Sequence, residues 1–159
     1  CAIIAPMKTD KLFFRLFSHY PPLLLELAGM EPPYPPGYQQ QALELKETAF
    51  RLDGLLRPPN NAWPYLFWEA QCQPDQAFYA RWLASLFVCL HQQRIACWRA
   101  VVVFPSRAID VGATEAYAPL LEHGRIQRVY LDELAQTPGL ESSSGHGLLQ
   151  LTIAAPADA

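Results

Sequence analysis

The chain has 159 residues, of which 51% are hydrophobic and 17% are charged, and its net charge is −3. This length suits one domain with a sizeable core, and the composition excludes a disordered or fibrous chain. The acidic balance also lacks the basic footprint that is usual in nucleic-acid-binding domains. A bound metal ion would weaken that last objection, because it supplies positive charge where a phosphate must lie.

The first third of the chain predicts two helices and a loop. Apolar residues recur at helical spacing through 12–17, with Thr9 or Asp10 as the cap of a first helix. Pro21 and Pro22 end it, and a short second helix runs on to Leu27. Residues 31–38 contain four prolines and one glycine, which is typical of a loop.

The rest of the chain predicts a mixed sheet. Three strands are expected at about 42–49, 50–57 and 64–73, and they should form an antiparallel meander. An amphipathic helix follows, with Asp75 as its N-cap, and crosses to a buried parallel strand at 99–104. A short helix at 117–122, a strand at 125–131 and a small helix capped by Asp132 complete an α/β sandwich. Residues 138–147 predict a flexible connection.

The cysteines and the termini bear on location and extent. The four cysteines (Cys1, Cys72, Cys89 and Cys97) show no metal-ligand spacing, so we expect no zinc site. Their dispersed positions favour a reducing compartment. No apolar run has transmembrane length, and residues 1–6 lack the basic start of a secretory signal. We therefore expect a cytoplasmic protein without membrane contact, with one domain at 7–151, an extension at 1–6 and a tail at 152–159.

Two acids and an amide lie within this apolar, β-prone part of the chain. Asp53 is in the second predicted strand, and Glu69 and Gln71 follow the aromatic run 65–68 on the third. Glu69 and Gln71 share one face because side chains alternate along a strand. In the register expected for the meander, Asp53 comes close to Glu69. The other face of the third strand carries Leu66, Trp68 and Ala70.

Carboxylates in such a setting point to a metal ion. Burying them is costly unless a cation or hydrogen-bond donors offset the charge, and two close carboxylates repel one another. Hard oxygen ligands with open water positions suit Mg²⁺ or Mn²⁺. Such an ion polarises a phosphoryl oxygen and lowers the pKa of a bound water, and both effects promote phosphodiester hydrolysis.

These residues and the order of the elements resemble the PD-(D/E)XK nuclease superfamily, and most closely its bacterial recombination-promoting, transposase-like (Rpn) group. Asp53 and Glu69-Ala-Gln71 match the superfamily motif. The resemblance covers roughly residues 7–151, and its most similar segments are 9–17, 44–54 and 78–82. It implies a restriction-endonuclease-like core, DNA as the substrate and a homodimer for double-strand cleavage. Chains of the group tend to continue beyond the equivalent of Leu151, which implies a truncated C-terminus.

Carried over by position, the resemblance makes Asp53 and Glu69 the metal ligands. Gln71 stands where the superfamily usually has lysine, so it can orient a water but offers no cation to developing negative charge. Lys46 or a second metal ion would fill that role.

The resemblance also leaves weaker candidates. Glu47, Glu26 and Asp10 are candidates for a further acidic ligand, and Arg51 and Arg81 for contacts with DNA phosphate.

Structural alternatives stay open beside this hypothesis. Asp53 with Gly54 is also a turn dipeptide, Glu69 could form a structural ion pair with Arg51 or Lys46, and Gln71 could be an edge-facing polar residue. Lys46 and Glu47 could belong to a solvated strand face. The second functional hypothesis is a non-catalytic binding or assembly module, favoured by the acidic charge and the missing lysine. No glycine-rich phosphate loop is present, so no nucleotide cofactor is expected.

Overall fold

The computed structural model describes residues 6–44, 51–112, 115–134 and 136. In these parts of the chain, no helix combines the length and the apolar character needed to cross a bilayer. The helices are α1 (Pro6–His19), α2 (Pro21–Leu27), α3 (Phe78–Gln93), α4 (Ala118–Glu122) and α5 (Leu131–Leu134). The strands are β1 (Gln39–Glu44), β2 (Arg51–Arg57), β3 (Tyr65–Ala70), β4 (Trp98–Phe104) and β5 (Ile126–Tyr130).

The five strands form one mixed sheet in the order β1-β2-β3-β4-β5. β2 pairs antiparallel with both β1 and β3, whereas β4 pairs parallel with both β3 and β5. A parallel neighbour requires a crossover connection, and α3 supplies it between β3 and β4. The predicted α/β class, with a meander followed by a parallel strand, is confirmed.

One face of the sheet is covered by α1 and α2. Phe13 and Phe17 of α1 are buried, and the ring of Phe17 packs edge-on against the indole of Trp68 with centroids 5.0 Å apart. From β3 this face receives Leu66, Trp68 and Ala70, as strand alternation predicted. Burial of these large side chains supplies the main favourable term for this half of the fold.

The opposite face is covered by α3. Phe78, Trp82 and Leu86 recur at helical spacing, and all three are at most 2% exposed. They pack against Phe67, Val102 and other residues of the central strands in a second apolar cluster. Because both faces are covered, the middle strands carry near-continuous apolar runs, which is why β4 could be predicted from its sequence.

Several predicted boundaries and caps are wrong. The first helix begins at Pro6, so Thr9 and Asp10 lie inside it and do not cap it. Proline suits a first helical position because its missing N–H has no partner there in any case. The cap of α3 is Ala77, and Asp75 instead accepts a hydrogen bond from the Ala77 N–H (2.9 Å) in the turn before the helix.

The last helix also starts earlier than predicted. It begins at Leu131, directly after Tyr130 of β5, so Asp132 lies within its first turn and is not its N-cap. Leu131 is buried against the α1–α2 side of the sheet, and this packing outweighs the capping preference of aspartate. β1 begins at Gln39, earlier than expected. Residues 45–50, the predicted connection at 138–147 and the tail at 152–159 lie outside the described residues.

Candidate metal site between β2 and β3

A bulge interrupts β2 at Asp53 and Gly54, where one residue of β1 faces two residues of β2. Leu52 and Leu55 consequently pack in the same cluster beneath α3, although strict alternation would put them on opposite faces. A bulge of this kind leaves part of the backbone unpaired and redirects the side chains of its residues. It lies directly before the point where β2 and β3 separate.

The carboxylates of Asp53 and Glu69 both bind backbone groups at that point. Regular pairing of β2 with β3 ends at Gly54 and Trp68. Beyond it, the backbone N–H of Asp53 donates to Oε2 of Glu69 (3.2 Å), and the backbone N–H of Ala70 donates to Oδ2 of Asp53 (3.1 Å). Each strand thus binds the carboxylate of the other. Both acids are partly buried, and the structure brings them together at the carboxyl end of β3.

The bulge requires glycine at position 54. The indole of Trp68 lies across this residue and donates from Nε1 to Oε1 of Gln40 (3.3 Å). A Cβ atom built on Gly54 would overlap the indole of Trp68 and the side-chain amide of Gln40. Glycine therefore serves here to admit a buried aromatic ring next to the acidic pair.

Gln71 lies one residue beyond β3. Its backbone N–H donates to the carbonyl of Val103 (2.9 Å) and so continues the pairing with β4. Its side-chain amide donates to the carbonyl of Gln73, within the loop that leads to α3. The described contacts therefore engage this amide in its own loop rather than with Asp53 or Glu69.

The structure describes few of the weaker candidates. Lys46 and Glu47 lie outside the described residues, and so do the side chains of Asp10 and Arg51. Glu26 lies in the last turn of α2. The pKa of Tyr34 is raised mainly by burial of its phenol and further by the carboxylate of Glu26. The end of α2 is bound at the amino-terminal end of β4, at the opposite end of the sheet from Glu69.

Arg81 lies in the first turns of α3, half exposed, and forms an ion pair with Asp75 (2.6 Å). The hydrogen bond from Arg81, followed by that from the Ala77 N–H, holds the pKa of Asp75 below its usual value. Its guanidinium is thus oriented toward the loop that follows Gln71. A phosphate bound by Arg81 would compete with this carboxylate.

A buried carboxylate that no sequence motif indicated lies at the same end of the sheet. Asp110, whose side chain is 4% exposed, follows β4 and accepts hydrogen bonds from the phenols of Tyr79 (2.9 Å) and Tyr130 (2.6 Å). Arg128 forms an ion pair with it at 3.3 Å. Burial alone would raise the pKa of Asp110, but these donors and the Gly112 N–H outweigh burial and lower it.

The Asp110 network fixes the carboxyl ends of the parallel strands. It joins the start of α3 to the end of β5, because Tyr79 belongs to the first and Tyr130 to the second. Burial and the Asp110 carboxylate raise the pKa of Tyr130 to about 12. The sequence feature that accompanies this network is Asp110 two residues before Gly112, a spacing typical of a turn. The Gly112 N–H donates to the Asp110 carboxylate (2.9 Å), as expected for such a turn.

The donor set of Asp53 and Glu69 fits a hard divalent cation. Two carboxylates supply part of the octahedral shell of Mg²⁺, and water commonly supplies the rest. Among the described residues, no group of three or more His, Cys, Asp or Glu side chains is placed to hold a metal. A third protein ligand would therefore come from elsewhere in the chain, where Glu47 is the candidate from sequence.

Comparison with known proteins gives the family but no activity. Residues 9–159 match the family described as "Protein of unknown function (DUF2887)", so the chain belongs to that family. No curated protein and no solved structure shows significant similarity to the chain.

Proposed function

We propose that this DUF2887 protein is a metal-dependent DNA endonuclease of the PD-(D/E)XK type, recombination-promoting and transposase-like, with a restriction-endonuclease-like core. Its cofactor would be Mg²⁺ or Mn²⁺. The observation that carries the proposal is the reciprocal binding of Asp53 and Glu69 across the split between β2 and β3. The mixed sheet supports it, because ligands of α/β sheets commonly bind beyond the carboxyl ends of strands.

In this proposal the two carboxylates hold the ion. Their backbone donors, the N–H groups of Asp53 and Ala70, keep them oriented before the substrate arrives. When bound, the ion supplies Lewis acidity to a phosphoryl oxygen and makes a coordinated water more acidic. The amide of Gln71 would turn from Gln73 to orient that water by hydrogen bonding. Lys46 or a second ion would supply the positive charge that Gln71 lacks.

The substrate contacts follow from the same placement. DNA would lie across the end of the sheet that carries Asp53 and Glu69, with Arg51 and Arg81 as candidate phosphate contacts. Cleavage of both strands would require a second copy of the chain, so a homodimer is part of the proposal. The net charge of −3 means that phosphate binding must depend on local arginines and on the metal.

The decisive experiment is nicking of supercoiled plasmid DNA in the presence of Mg²⁺ or Mn²⁺. Asp53→Asn and Glu69→Gln retain side-chain size but remove the charge, and each should lower the rate on the order of 100-fold or more. Asp75→Asn is the matched control, since it removes a carboxylate outside the pair, and it should retain activity. Wild-type rates in both Asp53→Asn and Glu69→Gln would exclude the assignment.

A second candidate is a non-catalytic binding or assembly module with the same fold. The engagement of the Gln71 amide with Gln73, together with the missing lysine, favours it. Calorimetric titration with Mg²⁺ and Mn²⁺ separates the two. Absence of specific metal binding, combined with no cleavage of any DNA form, would favour the module.

A further inference from the structure

A cleft of about 660 Å³ opens at the end of the sheet opposite to the acidic pair. Its walls come from the loop after α2, the segment before β3 and the segments that lead into β4 and β5. Its wall residue Pro64 precedes Glu69 by five positions, about 16 Å along an extended chain. The volume is in the range of small-molecule sites, roughly 300–1,000 Å³. A ligand in this cleft would not compete with one at Asp53 and Glu69.

The cleft carries a surplus of positive charge. Arg99 and Arg125 both line it, and Glu31 is the one acidic residue among the described residues of its wall. Nη1 of Arg99 donates to the carbonyls of Ala28 (3.0 Å) and Gly29 (3.1 Å), which fixes its guanidinium at the wall. In the described part of the chain, neither arginine forms an ion pair with a carboxylate. An anion would therefore find two guanidinium groups that form no ion pair with a described carboxylate.

Flat aromatic rings lie beside these charges. Trp63 and Trp98 both line the cleft and are only partly buried. The guanidinium carbon of Arg125 lies 5.6 Å from the centroid of the Trp98 ring, within cation–π range. Because this guanidinium lies over the Trp98 ring, a ligand would stack on Trp63, or on Trp98 once Arg125 turns from the ring to an anionic group of the ligand. The ligand that uses both an indole and a guanidinium is a planar ring joined to an anionic group.

A second cavity adjoins the cleft at the same end of the sheet. This cavity of about 310 Å³ shares Trp63 and Cys97 with the cleft and adds Arg94 and Tyr65. Arginines and aromatic rings thus recur along one groove. Alternation of positive charge with stacking surfaces is the pattern of single-stranded nucleic-acid sites.

We infer that this cleft binds a nucleotide, with its base against the indole of Trp98 or Trp63 and its phosphate at Arg99 and Arg125. The nucleotide can be free or one unit of a single strand, since both present the same base and phosphate. The site uses side chains in place of a glycine-rich phosphate loop, which explains why sequence motifs did not indicate it. The inference does not depend on the proposed nuclease activity.

The test is calorimetric titration of the full chain with thymidine monophosphate in EDTA. The wild-type protein should bind it with heat release and with quenching of tryptophan fluorescence, because Trp68 and Trp82 are buried and the other two tryptophans line the cleft. Thymidine and inorganic phosphate should each bind at least about 10-fold more weakly, because each lacks one of the two contacts. Binding of an eight-residue oligothymidylate about 10-fold or more tightly than the monophosphate would identify a strand as the ligand, whereas equal affinities would identify the free nucleotide.

Variants assign the binding to the cleft. Arg125→Gln should weaken affinity about 10-fold or more, and Trp98→Phe should reduce the fluorescence quenching. Arg125 is the arginine to change first, because it is exposed, whereas Arg99 also binds the end of α2. Arg15→Gln, which changes an exposed arginine of α1 away from the cleft, should bind as the wild type does. Undetectable binding of both the monophosphate and the oligonucleotide at a ligand concentration of about 1 mM, or equal binding by Arg125→Gln and the wild type, would overturn the inference.

Discussion

The indole of Trp68 lies directly across the backbone of Gly54, and no side chain fits between them. Gly54→Ala should therefore destabilise the protein by roughly 1–3 kcal/mol, the usual cost of forcing extra atoms into a packed core. Urea unfolding followed by circular dichroism would measure the loss. The same change should lower any metal affinity, because Asp53 belongs to the same bulge.

A double-mutant cycle tests whether the overlap is the cause. Trp68→Phe removes the fused ring that a methyl group at position 54 would meet, so the double variant should lose less stability than the two single losses combined. Gly124→Ala is the control for backbone strain alone: its φ is +71° and its surroundings are open. Additive losses in the double variant would show that the ring contact is not what requires glycine.

Metal binding at Asp53 and Glu69 should stabilise the folded chain. At a Mg²⁺ concentration ten times the dissociation constant, linkage gives about 1.4 kcal/mol, or roughly 3–5 °C in melting temperature for a chain of this size. Asp53→Asn and Glu69→Gln should abolish the shift. A shift of equal size in these variants, measured by differential scanning fluorimetry, would place the ion elsewhere.

Variants at Arg81 and Asp75 form a matched pair that tests whether Arg81 contacts DNA phosphate. Arg81→Ala and Asp75→Asn break the same exposed ion pair, so both should leave stability almost unchanged. Only Arg81→Ala should weaken DNA binding, and it should reduce the slope of log affinity against log salt by about 0.9. Fluorescence anisotropy with a labelled duplex would measure both quantities. Equal affinities in the two variants would remove Arg81 from the interface.

Asp110 should make the free energy of unfolding depend on pH in the acid range. Its pKa is lowered in the folded state, so its contribution is present above the unfolded value of about 3.9 and is lost as pH falls through the folded value. Asp110→Asn should cost roughly 1–3 kcal/mol at pH 7, and the difference from wild type should shrink below about pH 4. Glu122→Gln, an exposed carboxylate, is the control. A loss that is the same at pH 3 and pH 7 would contradict this origin.

The sheet was predictable because its strands carry strong local signals. The run 100–104 is uniformly apolar and is followed by Pro105, so β4 was recognisable without tertiary information. The helical spacing of Phe78, Trp82 and Leu86 likewise identified α3. The helix starts were harder, since Asp75 and Asp132 are good caps in isolation but packing set the actual boundaries. Local propensity is too weak to decide a boundary against burial.

The proximity of Asp53 and Glu69 followed from the expected meander, but the way in which they meet did not. Strict strand alternation does not predict the bulge at Asp53 and Gly54. The sequence feature that accompanies the extra residue is the glycine, and glycine alone does not identify a bulge. The long-range partners of Asp110 come from two separate segments of the chain, α3 and β5, and no local pattern joins them to it. Such long-range hydrogen bonds can be found only once the topology is known.

Consecutive residues of β3 have different roles. Trp68 packs in the core beneath α1, whereas the next residue, Glu69, belongs to the acidic pair with Asp53. A slip of one position along this strand would exchange them, placing a carboxylate under α1 and an indole in the position of the acidic pair. A misaligned β3 would therefore lose stability on both counts, so the alternation of Trp68 and Glu69 favours a single alignment of this strand.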